Sequence, residues 1–201
     1  MIRYVLPIWL SVMATSSLAE DTIDRLPQPD YCRRSSDPTW LARVVQFHGH
    51  LGPSVVAGAR IGMAGLRAVE AKGYFDCDVA CEGPMARPPQ SCFLDGLQVA
   101  TGATLGKRTL HWVQAERIVV RVKNTRTGKA AELRPTPVLL DLLASASTPS
   151  KAAGQRGPDQ KATSADQKVA DERLAAVARK LASMPEKEIV AVTRMDTAAP
   201  K

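Results

Sequence analysis

Residues 53–72 constrain the fold more than any other stretch of this 201-residue chain. Val55, Val56, Ile61, Met63, Leu66 and Val69 alternate there with Ala57, Gly58, Ala59, Gly62 and Gly65. Apolar residues at this spacing predict a helix. Pro53 opens it at a position where the missing N–H costs nothing, and Gly73 stops it. The small residues permit a second backbone to approach closely. Aromatic residues make up only 4% of the chain, so the core around this helix must be aliphatic. At 45% apolar and 23% charged the composition is that of a globular protein, which argues against global disorder.

The rest of the chain reads as short elements around that helix. Residues 20–37 form an extended lead-in punctuated by Pro27 and Pro29. Asp37-Pro38 predicts a helix start, with Asp37 as cap and Trp40, Leu41, Val44, Val45 and Phe47 as its apolar stripe. Residues 74–82 predict a strand, 83–90 a loop and 91–103 a helix capped by Ser91. Residues 109–113, 116–123 and 129–134 predict a three-strand meander, with a turn at 125–128. Pro135 and Pro137 open a further helix through Leu139, Leu140, Leu142 and Leu143. Residues 144–163 form a low-complexity insert. A helix follows from Ser164 to Ser183, with Ser164 and Gln167 as a capping box, and then a strand at 189–192. This tail is too small to stand alone and is expected to return to one core spanning 38–201.

The first nineteen residues read as a secretory leader. Arg3 precedes a short apolar run, and Ser17 and Ala19 are the small residues that a signal peptidase requires, so cleavage is expected near Ala19. The apolar run is too short to span a bilayer, and no other segment is long enough. The protein is therefore expected to be periplasmic or secreted, where disulfides form. Four cysteines are too few for a disulfide scaffold, but two of Cys32, Cys77 and Cys81 are expected to pair. A metal pair of Cys77 and Cys81 is the alternative. The net charge of +7 favours an anionic small molecule or an acidic protein partner. Eight basic residues between Lys107 and Arg134 oppose only Glu116 and Glu132. Few aromatics and an exported location argue against nucleic acid.

Two segments carry chemistry. Phe47-His48-Gly49-His50-Leu51-Gly52-Pro53 places two of three histidines two apart, in a glycine-rich break between helices. Imidazole is the commonest borderline metal ligand. Cys92-Phe93-Leu94-Asp95-Gly96-Leu97-Gln98 then leads into Thr101-Gly102-Ala103-Thr104-Leu105-Gly106-Lys107. Cys92 and Asp95 share a helix face. Thr101, Thr104, Lys107 and Gln98 offer hydroxyl, ammonium and amide groups to an anion or cofactor, although the spacing is not that of a P-loop.

Taken together, the two segments resemble the FmdE family, which takes its name from a component of formylmethanofuran dehydrogenase. The likeness rests on Phe47, His48, Gly49, His50 and Pro53, and on Cys92, Asp95, Gln98, Thr101, Gly102, Thr104, Gly106, Lys107 and Leu110. It implies an α+β fold with an antiparallel or mixed sheet packed on helices, commonly as a homodimer. It also implies a metal site between the His-Gly-His segment and the Cys-x-x-Asp helix, and an association with one-carbon chemistry. This chain departs from the pattern. Gly52 and Ala103 stand where many members carry cysteine, and Arg108-Thr109 replaces Gly-Asn. The zinc finger that some members append is absent, since no cysteine follows Cys92.

His48, His50 and Cys92 remain as a candidate three-ligand set for a divalent transition metal, zinc first and copper second. Asp95 is placed to hold a histidine tautomer. Asp95 and His111 are also the candidate acid–base residues if the protein is an enzyme. Three functions are open on the sequence: an exported metal-binding accessory or carrier, a zinc enzyme acting on a small acyl or formyl group, and a non-catalytic docking subunit.

Overall fold

The computed structural model describes residues 26–147 and 163–195. The expected leader and most of the low-complexity insert lie outside the described residues. The helices are α1 (Trp40–His48), α2 (Pro53–Ala68), α3 (Cys92–Thr101), α4 (Pro137–Ser147) and α5 (Ser164–Ser183). The strands are β1 (Cys77–Gly83), β2 (Leu110–Gln114), β3 (Val119–Asn124), β4 (Ala130–Pro135) and β5 (Val190–Met195). The fold is α+β, and no described helix is long and apolar enough to cross a membrane.

The five strands form one mixed sheet in the order β2-β1-β3-β4-β5, in which only the β1–β2 pair is parallel. The expected meander is therefore half right. The β3–β4 hairpin forms, with Val120 opposite Leu133, but β1 separates β2 from β3. Burial explains the order. Along β1, Cys77, Val79 and Cys81 are buried on one face, which suits a strand paired on both sides. In β2 only Leu110 is buried, so this strand takes the edge. The 124–128 turn is pinned by a buried residue that no sequence pattern singled out. Asn124 donates to the carbonyls of Val69 (3.2 Å) and Glu70 (3.1 Å), and its Oδ1 accepts the N–H groups of Arg126 and Thr127.

The core rests on α2. Its small residues meet α3 backbone to backbone. A Cβ on Gly58 would collide with the carbonyl oxygen of Phe93, and a Cβ on Gly96 with that of Val55 and, at 2.6 Å, with the amide nitrogen of Ala59. On the sheet side, a Cβ on Gly65 would lie 2.6 Å from Val122. The glycine positions thus fix the separation of α2 from α3 and from the sheet.

α5 and β5 return to this core, as expected. Arg60 of α2 caps the end of α5, donating to the carbonyls of Ala182 (2.6 Å) and Met184 (2.7 Å). β5 pairs with β4, with Val192 opposite Leu133. The capping box at the start of α5 uses Thr163 and Asp166, one residue earlier than the expected Ser164 and Gln167. Asp37 is not the cap of α1, which begins at Trp40. Instead its carboxylate is buried and accepts from the Arg34 N–H (3.0 Å), the Tyr31 hydroxyl (2.9 Å) and the Arg179 Nε–H (3.0 Å). A charged donor from α5 outcompetes a local helix cap. The excess of basic residues is also smaller in space than in sequence. Arg121 is bracketed by Glu82 and Glu132, and Arg134 lies 2.8 Å from Glu132.

Two measurements test these contacts. Gly96→Ala is expected to cost about 3 kcal/mol in urea unfolding, because backbone must move. Gly106→Ala, where nothing lies within 4 Å of the new Cβ, should stay within about 0.5 kcal/mol of wild type. Burial of Asp37 tends to raise its pKa, but the Arg34, Tyr31 and Arg179 hydrogen bonds outweigh this and hold it below the ordinary carboxylate value. A lowered folded pKa gives stability that is present above the unfolded value, about 4, and lost as pH falls through the folded one. The stability gap between wild type and Asp37→Asn should therefore be full near pH 6 and shrink below pH ~4. A gap independent of pH would contradict this role.

Candidate metal site

His48 ends α1, and Gly49 turns the chain there with φ 93° while its N–H returns to the Val45 carbonyl at 2.8 Å. The left-handed turn is open to glycine and strained for other residues. It swings the chain so that His50 comes back beside His48, with ring centroids 4.6 Å apart and planes tilted by 39°. Gly52 comes next in extended backbone, and Pro53 opens α2. A Cβ on Gly52 would sit 3.2 Å from Nε2 of His50. The position where many family members carry cysteine therefore points at this imidazole, and in this chain it holds no side chain.

The α2–α3 contact brings the other half of the site. Asp95, in the first turn of α3, lies 2.7 Å from Nδ1 of His48 through its Oδ2. Its Oδ1 accepts from the Gln98 amide at 3.5 Å. The His48 side chain is 8% exposed, and its Nε2 is buried with no hydrogen-bond partner. An ionised carboxylate can only accept, so the Asp95 contact assigns the ring proton to Nδ1 and leaves Nε2 a lone pair. His50 has its pKa lowered, first by burial and then by the neighbouring His48, with partial opposition from Asp171 of α5. Two neutral imidazoles thus share one end of the helical layer at neutral pH.

The other sequence candidates fall in different places. Cys92 opens α3 half-buried, its thiol pKa raised by burial and then by Asp95. Among the described residues no group of three His, Cys, Asp or Glu side chains gathers as a metal cluster, so His48, His50 and Cys92 do not converge as a set. Thr101 is buried, donates to the Leu97 carbonyl at 2.6 Å and accepts the Ala103 N–H at 3.1 Å. Thr104 accepts the Lys107 N–H at 3.1 Å. Lys107 donates to the Gly102 carbonyl and lies over the rings of Tyr74 (5.4 Å) and Phe75 (5.1 Å). These three residues build the turn after α3 rather than an open anion cradle, while Gln98 braces Asp95. His111 is exposed on the edge strand β2 and lies 3.4 Å from Asp78. Asp171 carries no signal in the sequence. It lies far along the chain, beyond the insert, and no local pattern ties it to His50.

The cysteines correct a further expectation, since all four are free. Cys77 and Cys81 are buried on one face of β1, four residues apart, or about 13 Å along a strand. Neither a disulfide nor a shared metal can span that distance. Burial, and then Asp76, pushes the Cys77 thiol up to about 11; burial, and then Glu82, pushes Cys81 up to about 12.

Comparison with known proteins adds to this picture. The family described as "FmdE, Molybdenum formylmethanofuran dehydrogenase operon" matches residues 47–191. A protein of Archaeoglobus fulgidus named "Probable S-adenosyl-L-methionine-binding protein" is 26% identical over 93 residues, which are 46% of this chain and 25% of that protein. The chain thus spans about a quarter of the length of this curated relative. The crystal structure of an FmdE-like protein of the tungsten formylmethanofuran dehydrogenase type, from Syntrophus aciditrophicus, aligns with a TM-score of 0.47 at 18% identity, covering 80% of this chain and 72% of that one.

Thiol titration checks the cysteine assignment. In native protein without reductant, exposed Cys32 should react first with an aromatic disulfide reagent, and Cys92 more slowly. Cys77 and Cys81 should react only on unfolding. A total of fewer than four thiols in the unfolded, unreduced protein would contradict the assignment.

Proposed function

The chain belongs to the FmdE family, and on that premise we propose that it is a metal-binding accessory or carrier protein. His48 and His50 would hold one divalent transition metal, zinc first and copper second. The observation that supports this most is the His48–Asp95 pair. Nδ1 is engaged at 2.7 Å, while Nε2 is buried without a partner. Leaving such an atom unpaired costs about 1–3 kcal/mol. A metal would use that lone pair, and carboxylate–histidine pairs of this form orient metal-bound imidazoles. The lowered pKa of His50 keeps its ring neutral, the form that binds metal.

Each group has a stated task in this reading. Asp95 fixes the His48 tautomer, and Gln98 braces Asp95. Gly49 and Gly52 give the two rings room to approach. A metal bound there would supply Lewis acidity and exchangeable positions for an outside ligand. Two protein ligands leave more positions open than a structural site does, which favours uptake and release. The enzyme reading has less support. Asp95 is committed to His48, and His111 stands on the opposite flank of the sheet, paired with Asp78. The leader-like residues 1–19 support export, so the proposed work lies outside the cytoplasm.

Metal analysis of the purified chain tests the proposal. About one zinc or copper per chain is expected, lost in the His48→Ala/His50→Ala variant. Asp95→Asn should keep the fold and weaken metal affinity by about 10–100-fold. Folded wild-type protein that is metal-free, and that takes up neither ion on titration, would overturn the reading.

A further inference from the structure

A cleft opens beside the two histidines. It has a volume of about 220 Å³ and is walled by Ser54 of α2, Met85, Phe93 of α3, Ile118, and Leu140 and Leu143 of α4. A second cleft of about 220 Å³ shares Ser54, Leu143 and Ser147 with it and runs on past Pro53 to Leu174 of α5. Both therefore begin at the α2 N-terminus, directly after Gly52, which touches His50. Leu174 lies one helical turn from Asp171, the carboxylate whose charge acts on His50. Phe93 lies between Cys92 and Asp95 in sequence. The same three helix ends thus hold the imidazoles on one side and an apolar cleft on the other.

We propose that this cleft binds the apolar tail of a small molecule whose polar head ligates the metal held by His48 and His50; the inference rests on the metal reading above. The ligand class is a compact acid, thiol or hydroxamate-like chelator carrying a short aliphatic or aryl group. Size supports this, because an apolar cavity of about 150 Å³ already accepts benzene. The chain itself offers no better occupant. The insert that follows α4 consists of Thr, Pro, Ser, Lys, Ala, Gly, Gln, Arg and Asp, with no large apolar side chain. The half-exposed Leu140 forms the rim, so a ligand can enter without disturbing the core.

Two probes separate this inference from the metal reading. In metal-free protein, 4-fluorotoluene should bind, seen as a shifted and broadened fluorine resonance, and Ala144→Trp or Leu140→Trp at the rim should abolish the effect. In zinc-loaded protein, hexanohydroxamate should bind about 100-fold tighter than acetohydroxamate, because four further methylenes are buried. That ratio should fall below about 5 in either rim variant, with circular dichroism checking that each is folded. A wild-type ratio near 1, or one unchanged in both variants, overturns the inference while leaving the metal reading intact. If the chain takes up no zinc, both fall. Fluorotoluene binding would then show only an apolar cavity.

Discussion

The contact between α2 and α3 at Gly58 and Gly96 is the constraint on which the rest depends. Each glycine lies against a backbone carbonyl of the other helix, leaving no room for a methyl group. That closeness sets where α3 begins and therefore where Asp95 sits. It also fixes the ends of the two helices that wall the apolar cleft. Were the helices separated by one side-chain layer, Asp95 would withdraw from Nδ1 of His48 and the pair would be lost. The packing is thus part of the site's geometry as well as a source of stability.

A second constraint acts through the chain reversal at Gly49. A helix C-terminus normally leaves its last side chain pointing away from the residues beyond it. The left-handed turn folds His50 back on His48 and lets the extended Gly52 pass without bulk. Two imidazoles then occupy a partly buried space where neither is readily protonated. That arrangement costs stability unless something uses the lone pairs. Proteins retain such costs at functional sites, where local rules are broken for a purpose.

Much of this was legible in the sequence. The helices follow the apolar period closely, and the small-residue face of α2 signalled close packing. The Cys-x-x-Asp spacing put Asp95 within reach of a histidine, and the His-Gly-His segment marked the site. The features that were not legible came from long-range competition. Asp37 reads as a cap, but Arg179, from α5, claims its carboxylate. β2 and β3 read as neighbours, yet β1 pairs between them because its buried cysteine and valine face needs partners on both sides. Cys92 reads as a third ligand by spacing, while the structure gathers only the two imidazoles. Thr101 and Lys107 read as anion-binding groups, but turn geometry uses their hydrogen bonds.

The most direct test is the protonation state of the His48 ring. Long-range proton–nitrogen correlation spectra of the metal-free protein report which ring nitrogen carries the proton. The Asp95 contact predicts the Nδ1–H tautomer, an unprotonated Nε2, and loss of this state in Asp95→Asn. One equivalent of zinc should then shift the Nε2 resonances of His48 and the ring of His50 together. An Nε2–H tautomer, or His48 and His50 signals unmoved by zinc, would contradict the proposed site.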